Sequence, residues 1–155
     1  MKPFNRREMC AGLTVLMMGG LAGVKMSEAQ TASMGEGALA HARVLRFSDL
    51  PVGLLPNGTD RRVLAQGALA TGEAVRVHES IAPPAAAAPD MHAIQHSELI
   101  VVVQGTVGME HDGKVETGGP GDVLYVAFGT NHRIRNMGDG PARYVVISIG
   151  GDVKT

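Results

Sequence analysis

Four side chains carry the chemistry this sequence can offer: His92, His96, Glu98 and His132. Imidazole nitrogen and carboxylate oxygen together suit a divalent transition metal such as Zn, Fe, Mn, Ni or Cu. They are a poor set for Ca²⁺ or Mg²⁺, which take oxygen ligands. Positions 92, 94, 96 and 98 fall at period two, so in one extended strand they share a face. On that reading His92 and His96 aim two imidazoles the same way as the Glu98 carboxylate, with Ile94 among them as an apolar wall. His132 lies on a later strand and reaches the same point from across the sheet. If His96 turns outward, two His and one carboxylate remain, still enough to hold a metal with open positions. Taken one by one, each histidine has a plainer reading as a hydrogen-bonded strand residue; their grouping is what points to a metal. Glu98 has a further candidate role as a base.

The residues around this set are mostly apolar. Ile94, Ile100 and Val102 are candidate walls of a pocket for a small organic molecule with one polar end. Arg76 and His78 share one face of an alternating run, with Val75, Val77 and Ile81 on the other. Facing inward they would orient an anionic substrate; facing outward they are an exposed polar face. Tyr125 reads as a strand aromatic in preference to a proton donor. His111 precedes the turn residues Asp112-Gly113 and reads as solvated, and His41 is given no role.

The elements that must position these side chains are strands. Beta-type runs cover Arg43–Phe47, Arg62–Gln66, Glu73–Ile81, Glu98–Gln104, Thr106–Glu110, Lys114–Thr117, Asp122–Val126, His132–Asn136 and Arg143–Ile149, with turn signals between them. Asp112-Gly113 is a strong hairpin signal. Three prolines in the stretch from Ala82 to Pro89 forbid a stable helix there despite the alanines. Composition agrees: the 155 residues include 21 Gly and 8 Pro with only 3% aromatics, and no stretch reads as a helix within the domain. The expected class is all-β, a sandwich or jelly roll. Glu98–Gln104 is apolar on both faces, so one face is predicted to be covered by other strands or by a partner subunit.

With 14 basic and 15 acidic residues the chain lacks the basic footprint of a nucleic-acid binder. Its 45% hydrophobic content excludes a disordered acidic tail. The first 29 residues read as an export signal. A basic start is followed by an apolar run from Met9 to Val24 and a small-residue cleavage point at Ser27-Glu28-Ala29. The run is shorter than the ~18–20 residues that span a bilayer. Arg6-Arg7-Glu8-Met9 resembles a twin-arginine signal, with Met9 and Cys10 departing from the usual apolar pair. Cys10, the one cysteine, leaves with this segment, so no disulfide framework remains. Residues 30–42 read as a flexible lead-in, and 43–155 as one domain. The expected location is the periplasm, with no membrane contact after signal removal.

Residues 86–149 resemble the cupin family. The first cupin motif, Gly-x5-His-x-His-x3–4-Glu-x6-Gly, is matched by His92, Glu98 and Gly105. The second, Gly-x5-Pro-x-Gly-x2-His-x3-Asn, is matched by Gly121, Gly129, His132 and Asn136. Ala86 replaces the first motif's Gly, Ala127 the second motif's Pro, and Ile94 the second His. His96, two positions on, is the candidate replacement for that lost ligand. The resemblance implies a jelly-roll β-barrel, a double-stranded β-helix, with a divalent transition metal inside held by His92, His96, Glu98 and His132. It implies a small-molecule substrate or ligand and a homodimer. The function expected is a metal-dependent enzyme, of dioxygenase type in preference to a lyase or isomerase. The alternatives are a periplasmic ligand- or metal-binding module without turnover and a metal-free structural cupin, the last supported by Ile94.

Overall fold

The structure, a computed structural model, describes residues 39–153. The export signal and the lead-in as far as residue 38 lie outside the described residues. The strands in chain order are β1 (Gly53–Leu54), β2 (Asp60–Ala68), β3 (Ala74–Ala82), β4 (His92–Ala93), β5 (Ser97–Gln104), β6 (Val107–His111), β7 (Lys114–Gly118), β8 (Val123–Val126), β9 (Asn131–Asn136) and β10 (Ala142–Ile149). They form two antiparallel sheets facing each other. One runs β1-β2-β3-β10-β5-β8 and the other β4-β9-β6-β7. This is the jelly-roll β-barrel. Among the described residues no helix is long and apolar enough to cross a membrane.

Period-two alternation decides what fills the barrel. On β10, Ala142, Tyr144, Val146 and Ser148 are buried, while the residues between them are half-buried. Pairing carries that inward face across the sheet. Val146 sits opposite Ile100 on β5 and His78 on β3, and Tyr144 opposite Val102 and Ser80. Ile100, Val102, Val107 and Val126 are fully buried and meet Ile94, Met109 and Leu124 in one apolar core. The hairpin between β6 and β7 turns at Asp112 and Gly113, with φ of 48° and 72°, as a type I′ turn requires.

Two expectations change. Arg43–Phe47 forms no strand; the chain there is irregular and enters a single 3₁₀ turn at Phe47–Asp49. Its anchor is a ring rather than a ladder, since Phe47 lies 4.3 Å from the Arg62 guanidinium. The stretch from His92 to Glu98 is not one extended strand either. His92 and Ala93 pair with β9 in the four-stranded sheet, and the chain then crosses to the other sheet and resumes as β5 at Ser97. The run switches sheets because Ile94 drops into the core between them, at 6% exposure.

Candidate functional site

The sheet switch brings the four sequence-predicted residues together by a route other than shared strand phase. His92 and His132 are direct cross-strand partners on β4 and β9. Their ring centroids are 4.7 Å apart. Glu98 projects from the opposing sheet, and its Oε2 lies 3.7 Å from His132 Nε2. His96, on the crossing segment, places Nε2 3.0 Å from Glu98 Oε1. His132 is fully buried, whereas His92 is exposed, so the group extends from the barrel interior to its rim.

Each imidazole is held by its other nitrogen. His92 Nδ1 is 3.2 Å from the Asp90 carbonyl and His132 Nδ1 3.1 Å from the Thr130 carbonyl. A carbonyl only accepts, so in both rings Nδ1 carries a proton and Nε2 is the nitrogen left to bind a metal. His96 Nδ1 is 2.6 Å from Asp152 Oδ1. This is how metal-binding histidines are oriented, through a carbonyl or carboxylate behind the ring. The donor chemistry therefore fits a divalent transition metal. No three acidic, His or Cys side chains among the described residues are yet gathered into a ready-made cage. The reason is visible in the hydrogen bonding: His96 Nε2 is directed at Glu98 Oε1 itself, and Ser148 Oγ donates to the same oxygen at 2.8 Å.

Burial would raise the Glu98 pKa, but His132, His96 and Ser148 outweigh it and hold the carboxyl at about 2. Burial likewise opposes protonation of His96, and the Asp152 and Glu98 carboxylates reverse that, so its pKa is raised. Ser148 faces Glu98 because β10 pairs with β5 at that position. Asp152 follows β10 in a turn whose backbone N–H donates to the Gln95 carbonyl at 3.2 Å. Neither residue is singled out by motif spacing, because both depend on strand register.

Arg76 and His78 lie on the inward face of β3: Arg76 pairs with Ser148 and His78 with Val146. Arg61 on β2 joins them, opposite Ser80. This third basic residue has no sequence signal of its own, since β2 carries a bulge between Val63 and Ala65 that breaks its alternation. Ile94, Ile100 and Val102 are core residues beneath the group. Tyr125 is opposite Leu99, on the face turned away from Glu98, and is 57% exposed. His111 is not free in solvent; its ring nitrogens meet Glu116 at 2.7 Å and Asp112 at 3.1 Å. His41 is exposed.

Similarity to known proteins agrees with this architecture. The solved structure of an RmlC-like cupin from Shewanella frigidimarina matches with a TM-score of 0.61 at 16% identity, over 74% of this chain and 96% of its own. The polyketide cyclase RemF from Streptomyces resistomycificus matches with a TM-score of 0.57 at 16% identity, over 74% and 88%. A predicted oxalate decarboxylase from Thermotoga maritima matches with a TM-score of 0.56 at 19% identity, over 69% and 98%. No curated protein matches the sequence. Residues 77–148 match the sequence profile described as Cupin domain, and the solved cupin structures share the jelly-roll barrel around that segment.

Proposed function

We propose that the protein is an exported, metal-dependent cupin enzyme acting on a small organic molecule in the periplasm, with dioxygenase-type oxidoreduction favoured over lyase or isomerase chemistry. The observation that supports it most is the approach of His96 and His132 to Glu98 with the His92 ring beside His132, each ring anchored from behind at Nδ1. These four residues would hold the metal. A divalent transition metal there supplies Lewis acidity towards a carbonyl or enolate and, when redox-active, electron exchange with O₂. The protein's own part is orientation and exclusion of water. Ile94, Ile100 and Val102 keep the floor of the site dry, and the exposed rim at His92 leaves a way in. Glu98, held near a pKa of about 2, is too weak a base for proton abstraction near neutrality and suits a ligand role. The cupin barrel hosts unrelated reactions, so the fold itself does not choose among them.

Elemental analysis of the exported, mature protein is expected to give about one transition metal per chain, lost in His132→Ala and His92→Ala. Absence of stoichiometric metal from the wild type overturns the metal reading. Small phenols and enols are expected to be turned over with O₂ uptake, and full turnover under strict anaerobiosis overturns the dioxygenase reading.

A second reading, a binding module without turnover, is favoured because, among the described residues, the acids and bases hydrogen-bonded around Glu98 are the ligand set and Asp152. Glu98→Gln discriminates. Loss of turnover with ligand still bound supports the enzyme. No turnover by the wild type across a substrate panel, with a tight ligand shown by thermal shift, supports the module.

A further inference from the structure

We propose that Arg61, Arg76 and His78 form a carboxylate-binding wall inside the barrel, so that the molecule received beside Glu98 is a small organic acid. This rests on the reading of the barrel interior as a ligand site and deepens it by naming the ligand's charged group.

Register places the wall. Arg76, Ser148 and Glu98 lie in one row across β3, β10 and β5, and His78, Val146 and Ile100 in the next. Arg61 follows one row further, opposite Ser80. Arg76 is thus two strands from Glu98, roughly 10 Å along the sheet, within reach of one small molecule touching both. Three nitrogens on this wall are buried without a hydrogen-bond partner among the described residues: Arg61 Nε, Arg76 Nε and His78 Nδ1. His78 is only 9% exposed, and its direction into the barrel follows from its pairing with Val146.

Charge makes the same point. On the inward face of the six-stranded sheet Glu98 is the one acid, and His96 and Ser148 already occupy it. Glu98 exerts its field on Arg76 and His78, but one carboxylate faces two half-buried guanidiniums, so the face keeps a surplus of positive charge. The fields are close: burial first, then Arg61 and Arg76, push the His78 pKa down to about 3. Burial and Arg61 likewise lower that of Arg76. A guanidinium fork accepts a carboxylate or a phosphate. The carboxylate is favoured because Val63, Ile100 and Val146 surround the wall with hydrocarbon that a carbon skeleton would cover.

The test is the melting temperature of the mature protein, as purified and again after chelator treatment, in propionate, propionamide or inorganic phosphate. Propionate is expected to raise it by several degrees in both preparations, and the isosteric neutral amide to leave it unchanged. The response is expected to disappear in Arg61→Gln and Arg76→Gln and to persist in Arg133→Gln, whose side chain pairs with Glu110 instead. Without ligand, the two inward variants are expected to melt higher than the wild type, because a half-buried charge in surplus on that face is gone. A purely structural role for the arginines predicts the opposite shift. Equal responses to acid and amide, a response surviving both substitutions, or a larger response to phosphate than to propionate overturns the proposal. A response that vanishes with the chelator assigns the acid to the metal and also overturns it. Should the variants fail to fold, the contrast between acid and amide on the chelated wild type decides alone. Metal found without any acid response sinks this wall and leaves the metal centre standing.

Discussion

A buried imidazole flanked by two guanidiniums has one stable protonation state near neutrality, and His78 is in it. Its folded pKa of about 3 lies below the ordinary value of 6.5, with burial as the leading cause. Below about pH 6.5 the unfolded chain takes up a proton that the folded chain refuses, so stability falls as the pH drops towards 3. Above pH 6.5 the group adds no pH dependence. Urea midpoints measured from pH 7 to 4.5 are expected to fall more steeply in the wild type than in His78→Gln, by the equivalent of about 2–3 kcal/mol over that range. Parallel curves would show that His78 titrates normally. At this scale His92, Glu98 and His132 were legible because motif spacing survives any detail of the turn between them. Ser148 and Arg61 were not, because a serine and an arginine acquire their meaning from the strand opposite, and Asp152 was not, because its place depends on how the turn after β10 docks on Gln95.

Elements carry the next layer. The β6–β7 hairpin could be read from Asp112-Gly113, where φ is positive at both positions. The strand expected at Arg43–Phe47 was wrong because the five residues show no ladder partner, and what holds their end is Arg62, over the Phe47 ring and donating to the Phe47 carbonyl. The period-two argument for residues 92–98 failed for a different reason: a chain passing between sheets loses strand phase, and nothing local announces the passage. The turn after β10 shows what such connections do. Gly151 has φ of 57°, and a Cβ there would overlap the Gln95 carbonyl. Gly151→Ala is therefore expected to cost more than about 1 kcal/mol and to displace Asp152 from His96 Nδ1. Loss of that support is expected to weaken metal affinity roughly 10–100-fold, as is Asp152→Asn, read by competition with a chromogenic chelator. Unchanged affinity in both would remove His96 from the ligand set.

For the whole molecule, the expectation of an all-β barrel holds, and the doubly apolar strand has found its inner partners. Its outer residues Leu99 and Val101 stand beside Ile147 and Val145 on β10, next to exposed Val123 and Tyr125 on β8. A second copy covering this face is the expected state, and light scattering of the mature protein should return twice the monomer mass. A monomer at micromolar concentration would contradict it. The strand order has a kinetic corollary. β10 lies between β3 and β5, so two interior edges stay open until the final strand has been synthesised. Until then the nascent polypeptide has unsatisfied backbone on both sides of a gap, a template for aggregation. Folding should be slow and cooperative, and truncations that remove β10 should yield insoluble protein rather than a smaller barrel.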